Sequence, residues 1–282
     1  MLGHKLVQTI GKDHQVTATI RKRDLDFDKS LLFDDVNIIG NIDVSSEVSV
    51  DSVIVENEPD VVINAVGVIK QLPSSKDVIK TLTINSIFPN RLAEMAVNYG
   101  FKLITISTDC VFTGEKGNYN ELDEPDAKDL YGKSKNFGEV TGKNCLTLRT
   151  SIIGRELFTK HSLVEWFLSN KNGKAKGYKN AIYSGFPTCI MAEIILNVIE
   201  CFPKLEGLYH VSSEPINKFE LLKLINDRYQ ANVQIESFDD FFINRSLNSD
   251  KFRSETNFTP LDWEKMVDIM AQDPTPYEKF RI

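Results

Sequence analysis

No apolar run in this sequence approaches the roughly 18 residues that a membrane-spanning helix needs. No charged-then-apolar leader precedes a cleavage site either, so the expected location is the cytoplasm, away from membranes. The four cysteines (Cys110, Cys145, Cys189, Cys201) form no C-x-x-C pair, and the four histidines form no H-x-x-x-H spacing. Metal sites need such clustering, so none is expected, and the thiols read as buried and reduced. Positive charge is in the minority: 33 Lys and Arg stand against 40 Asp and Glu, a net charge of −7. Nucleic-acid binders draw affinity from clustered cations, so that class is excluded as a general function. Repeats and low-complexity linkers are also lacking.

The 282 residues carry 41% hydrophobic residues, spread along the whole length, which is ample for a buried core. Residues 14–20, 36–39, 60–66, 102–107 and 145–150 are short β-branched runs, nearly continuous in their apolar character. Strands covered on both faces look like this. Between them, 46–57, 78–99 and 129–140 carry helical spacing, with Ile84, Ile87, Leu92, Met95 and Ala96 sharing one apolar side. The alternation predicts an α/β fold, a Rossmann-like doubly wound parallel sheet over residues 1–150. Residues 151–282 break the rhythm and predict a smaller C-terminal substrate lobe, with some segments returning to the sheet. Phe137 and Phe186 read as core.

The front of the chain departs from this pattern. A doubly wound domain opens with a strand and a glycine-rich turn, whereas Met1-Leu2-Gly3 runs straight into a helix over 4–10. The expectation is an N-terminally shortened fold, lacking the central strand between those at 14–20 and 60–66.

The chemistry gathers at Ser107-Thr108-Asp109, at a strand end, and at Tyr131-Gly132-Lys133-Ser134-Lys135, which opens a helix. Tyr131 and Lys135 are four apart and so share a helix face. An ammonium beside a phenol lowers its pKa and makes it a usable general acid for an alkoxide. Thr108 can hold a substrate carbonyl in the same group. A helix N-terminus with solvent-facing polar residues is the plainer reading of the Tyr-Lys pair taken alone.

With these residues the chain resembles the extended short-chain dehydrogenase/reductases, and within them the dTDP-4-dehydrorhamnose reductase-like sugar-nucleotide reductases. Further segments match in order: Gly3, Asn64-Ala65-Val66-Gly67, Asn85, Ser107 to Phe112, Gly185-Phe186-Pro187-Thr188 and Gly207 to His210. The resemblance implies a catalytic trio of Thr108, Tyr131 and Lys135. Tyr131 would protonate the oxygen at sugar C4, Thr108 would orient the carbonyl, and Lys135 would lower the Tyr131 pKa and bind the nicotinamide ribose. Leu2 and Gly3 would border the pyrophosphate, Asp43 and Val44 the adenine, and Asn64, Ala65 and Gly67 the rest of the dinucleotide. Asp109, Gly185 and Pro187 would touch substrate. Arg149 is open between a substrate phosphate and a helix carboxylate.

Arg21-Lys22-Arg23 follows the second strand, and cations there favour the 2′-phosphate of NADP(H) over NAD(H). The expected activity is NADPH-dependent reduction of a 4-keto-6-deoxy sugar nucleotide for surface-polysaccharide synthesis. An epimerase or dehydratase on the same fold is an alternative, although Cys110 stands where dehydratases carry the Glu of Asp-Glu. A catalytically silent nucleotide-sensing regulatory subunit is another. The expected partner is the nucleotide sugar, with neither nucleic acid nor membrane, and a homodimer is compatible with the family.

Overall fold

The computed structural model describes residues 1–21, 32–33, 36–71 and 73–280. The first half alternates as α1 (Leu2–Ile10), β1 (Thr17–Thr19), β2 (Asn37–Ile39), α2 (Glu47–Asn57), β3 (Val61–Asn64), α3 (Val78–Leu82), α4 (Phe88–Tyr99), β4 (Lys102–Thr108), α5 (Leu130–Phe137) and β5 (Cys145–Thr150). The second half adds β6 (Ile152–Ile153), α6 (Leu163–Ser169), β7 (Lys174–Tyr178), β8 (Ala181–Tyr183), β9 (Phe186–Pro187), α7 (Thr188–Cys201) and β10 (Gly207–His210). It closes with β11 (Ile216–Asn217), α8 (Lys218–Tyr229), β12 (Gln234–Phe238), β13 (Ile243–Asn244), α9 (Asp250–Thr256) and α10 (Trp263–Ala271).

The main sheet is parallel, in the order β10-β5-β4-β3. Helices cover both faces, which is why β5 is buried at every position. On one face Leu2, Leu6 and Ile10 of α1, spaced four apart, pack with Met191, Ile195 and Val198 of α7 over Ile104, Leu146 and Leu148. On the other, Val50 and Ile54 of α2 and Phe88, Leu92 and Ala96 of α4 cover Leu103 and Cys145. The result is the expected Rossmann-like architecture. β10 comes from the second half and lies beside β5, so that half does return to the sheet.

β1 and β2 pair in parallel as a separate ribbon. Among the described residues no strand pairs with β1 or β3 on their remaining edges, and Val61, Val62 and Ile63 are only half-buried. A doubly wound order places one strand there, at the point where the strand order reverses.

The later part of the chain carries two small sheets, β7 paired with β12, and β8 paired with β11 and β13. Sequence patterning left β7, β8 and α9 unread, because short half-buried segments carry little periodicity. The helix expected over 78–99 is three pieces: α3, a π turn over Thr83–Ile87, and α4. The wider π turn shifts the phase of the helix, so Ile87 leaves the apolar side and is exposed. Phe137, expected in the core, is also exposed; it is the last residue of α5, just before the Gly138 cap. Cys145 is buried, but Cys201 lies on the surface at the end of α7. Among the described residues no helix is long and apolar enough to cross a membrane.

The π turn meets the end of α5 at one point. A Cβ on Gly138 would stand 1.9 Å from the Asn85 carbonyl oxygen, whereas one on Gly3 would meet nothing within 4 Å. Gly138→Ala is therefore expected to lose about 2–3 kcal/mol in urea unfolding. Gly3→Ala, on an open helix face, should gain up to about 1 kcal/mol.

Candidate active site

β4 ends at Thr108, and the chain turns at once into a 3-10 turn over Asp109–Val111. The Thr108 hydroxyl oxygen accepts from the Cys110 amide at 3.1 Å and lies 3.1 Å from Asp109 Oδ1. α5 is pressed against this turn. A Cβ at position 132 would come within 2.2 Å of the Cys110 carbonyl, so the approach requires Gly132. Asp129 starts the helix by accepting from the Gly132 amide at 2.9 Å. Helix register then sets Tyr131 and Lys135 one turn apart, beside the end of β4.

Burial pushes the Tyr131 phenol well above its ordinary value, Cys110 adds to this, and the Thr108 hydroxyl opposes it. The phenol keeps its proton at neutral pH, which is the state a proton donor needs. Lys135 Nζ donates to the Ile106 carbonyl of β4 at 2.8 Å. Desolvation lowers its ammonium to about 8, and Glu139 pulls the other way. The ammonium is turned onto a backbone carbonyl, and burial is the largest cause at the phenol.

Asp109 is buried, and desolvation raises its carboxyl, with Arg245 and Lys218 among the groups opposing that shift. A protonated Asp109 can donate to Thr108 Oγ1 and leave the Thr108 hydrogen for a carbonyl oxygen. Lys218 and Arg245 were missed in the sequence, since neither lies in a motif. Lys218 opens α8 beneath the Asn217 cap; burial lowers its ammonium, and Asp109 and Cys110 oppose this. Arg245 follows β13, donates Nε to the Phe112 carbonyl at 2.8 Å and reaches Cys110 Sγ at 3.8 Å. The lobe therefore brings two cations to the turn that carries Thr108.

Arg149, left open by the sequence, takes the helix carboxylate. It is buried and grips both carboxylate oxygens of Glu139, at 2.6 and 2.7 Å, so it holds a carboxylate beside the helix and not a substrate phosphate. Gly185 and Pro187 are buried where β9 pairs with β6, and a Cβ on Gly185 would stand 1.9 Å from the Ser151 carbonyl oxygen.

Among the residues that the sequence resemblance assigns to a dinucleotide, Leu2 packs its side chain into the core, while Gly3 is exposed at the start of α1. Asn64 is buried at the end of β3; its Oδ1 accepts from the Val66 amide at 3.2 Å and its Nδ2 has no partner among the described residues. Ala65 and Gly67 follow it and are exposed. The Asp43 carboxylate accepts from the Ser45 hydroxyl and amide, which lowers its pKa, and the neighbouring Val44 packs against the α2–α4 core. Arg21 is exposed, and Lys22 lies outside the described residues. Asn85, inside the π turn, is fully buried and committed to Val68 and to the Ser134 hydroxyl, so it braces α5.

The family model described as RmlD substrate binding domain matches residues 1–273. The chain is 33% identical over 168 residues to the spore coat polysaccharide biosynthesis protein SpsK of Bacillus subtilis, covering 56% of this chain and 57% of that one. It thus spans little more than half the length of that relative. It is 29% identical over 209 residues to a dTDP-4-dehydrorhamnose reductase of Aggregatibacter actinomycetemcomitans, covering 70% of each chain. Among solved structures, the dTDP-4-dehydrorhamnose reductase of Bacillus anthracis in complex with NADP superposes with a TM-score of 0.75 at 22% identity, over 92% of this chain and 98% of that one.

Burial pushes the Cys110 thiol up to about 12 and the Cys189 thiol to about 11, and it raises Cys145 as well. Cys201 is exposed. Native protein at pH 8 is expected to show one fast thiol with a disulfide reagent, and Cys201→Ser should abolish that phase. A fast thiol remaining in the variant would mean that Cys110 or Cys189 is open to solvent.

Proposed function

We propose, because the chain belongs to the RmlD substrate binding domain family, that it reduces the 4-keto group of a nucleotide-linked 6-deoxy sugar, with NADPH as the reductant. The observation that carries this reading is the convergence of Thr108, a protonated Tyr131 and Lys135 at the end of β4. The similarity to a dTDP-4-dehydrorhamnose reductase supports the substrate class. The similarity to a polysaccharide biosynthesis protein supports a place in surface-polysaccharide synthesis.

Several features fit a nicotinamide dinucleotide. Asn64 Nδ2 is a buried donor without a partner at the carboxyl end of β3. Gly3 leaves open space at the start of α1, where backbone amides favour an anion. Lys135 gives one hydrogen to Ile106 and keeps two. Leu2, Gly3, Asp43, Val44, Asn64, Ala65, Gly67 and Lys135 would hold the cofactor, with Arg21 and Lys22 at a 2′-phosphate. When bound, it supplies the hydride. The Bacillus anthracis reductase was solved with NADP, which supports the choice of cofactor.

The chain's own residues do the rest. Thr108 turns its hydroxyl from Asp109 to the substrate carbonyl. Tyr131 gives its proton to the oxygen at C4. Lys135 holds a positive charge beside the phenol. Residues 1–150 serve the dinucleotide and the later lobe serves the sugar nucleotide, with Lys218 and Arg245 joining Asp109 on the substrate side.

A silent nucleotide-sensing subunit is the second reading. Turnover separates the two. The parent chain should oxidise NADPH with a 4-keto-6-deoxy sugar nucleotide, and Tyr131→Phe should lose at least about 100-fold in kcat. Its NADPH affinity should stay within a few-fold, since the ring still packs. Retention of most of the turnover in Tyr131→Phe would assign the proton to another group; no turnover in a folded parent that binds NADPH would favour the silent subunit.

A further inference from the structure

The lobe brings cations to the turn after β4 without bringing carboxylates to match them. Arg149, Arg155, Arg228 and Arg253 each hold a carboxylate within hydrogen-bond reach. Arg245 is half-buried too, yet among the described residues it makes no ion pair. Its Nε donates to the Phe112 carbonyl at 2.8 Å, and its Nη1 meets only Cys110 Sγ, at 3.8 Å. A guanidinium carries five N–H donors, so most of this one is uncommitted. Lys218 is also half-buried, and among the described residues its ammonium has neither an ion pair nor a hydrogen bond.

Strand register puts these two residues together. β8 is the middle strand of β11-β8-β13, and Asn217 on one side and Asn244 on the other both pair with Ile182. Lys218 and Arg245 are the next residues, one on each side of β8. Burial lowers the Lys218 ammonium, and Arg245 lowers it further, as a like charge nearby must; Asp109 and Cys110 oppose the shift. The carboxylates of this neighbourhood are engaged elsewhere. Asp109 meets Thr108 Oγ1 at 3.1 Å, Asp129 holds Lys70, and Glu220, in the first turn of α8, holds Lys223. Two unpaired cations that have lost part of their hydration repel each other, and an anion of two charges relieves both costs.

The place is tied to the reacting end of the site by one residue. The Cys110 amide donates to Thr108 Oγ1 at 3.1 Å, and the Cys110 thiol meets the Arg245 guanidinium. That span is on the scale of one sugar ring. We propose that Lys218 and Arg245 hold the diphosphate of the nucleotide sugar, across the ring from the carbonyl at Thr108. They thereby select a phosphorylated sugar over a free one. Naming the ligand as a nucleotide sugar rests on the reductase reading; affinity for a diphosphate at this place does not.

Calorimetric titration of dTDP, thymidine and NADPH into the full chain tests this. The parent should bind dTDP more tightly than thymidine, and the difference should shrink as salt is raised. Lys218→Met, which gives up no hydrogen bond among the described residues, should weaken dTDP about 10-fold or more and leave thymidine unchanged. Arg245→Lys keeps the charge without the fork, and should weaken dTDP less than Arg245→Met does. NADPH carries a diphosphate of its own, and its affinity should be the same in parent and variants. An equal loss of dTDP and NADPH would put the pair on the dinucleotide side and overturn the proposal. So would a parent that does not bind dTDP, an equal loss of dTDP and thymidine, or dTDP affinity that both Met variants leave unchanged; in that last case the cations serve Asp109 alone. Selective loss of dTDP in a chain that turns over no 4-keto sugar nucleotide would uphold the diphosphate site and remove the reductase reading instead.

Discussion

A parallel sheet covered on both faces leaves no water beneath its strand ends, so any charge placed there must be met by protein. Much of the polar chemistry of this chain follows from that constraint. Arg149 on β5 is met by Glu139, and burial holds His210 neutral, its pKa lowered to about 4, as the next acceptor in the line. Removing one member of such a pair costs about 3–5 kcal/mol. That is a large share of the ~5–15 kcal/mol that holds a typical domain together. The same desolvation keeps the proton on Tyr131, raises the Asp109 carboxyl and lowers the Lys135 ammonium to about 8. Packing and reactivity have one source here.

How much of this was legible in the sequence depends on the range of the interactions involved. Residues 102–107 and 145–150 read as strands because doubly covered strands are apolar at nearly every position, and the structure agrees to within one residue. The helical face of Tyr131 and Lys135 was legible for the same reason: four residues make one turn. The π turn was hidden, since one extra residue hardly disturbs an averaged period, yet it exposes Ile87 and brings Asn85 against Gly138. Arg149 was undecided because its partner, ten residues earlier, is chosen by how α5 ends and not by any motif. A carboxylate four residues beyond Lys135 was the available signal. Lys218 and Arg245 lie more than 100 residues from Thr108, on a lobe whose short strands have little pattern, and only the fold joins them.

The carboxyl ends of β3 and β4 lie side by side in the parallel sheet, the edge at which open α/β sheets bind ligands. Ligands of open α/β sheets lie there because strand ends and helix starts converge on it. Around it this chain gathers an orphaned amide on Asn64, a glycine at the start of α1, a protonated phenol, a fixed lysine and two cations from the lobe. On the proposed reading, this arrangement would deliver a proton to one oxygen of an anionic, polyhydroxylated substrate, with the hydride arriving from a bound dinucleotide.

Label transfer tests that account most directly. NADPH carrying deuterium on the transferred position of its nicotinamide is incubated with the chain and a dTDP-linked 4-keto-6-deoxy sugar, and the product is read by NMR. One deuterium at sugar C4, with no label elsewhere, is the predicted result. Turnover that leaves C4 unlabelled, or no product from folded chain that binds both ligands, would contradict it.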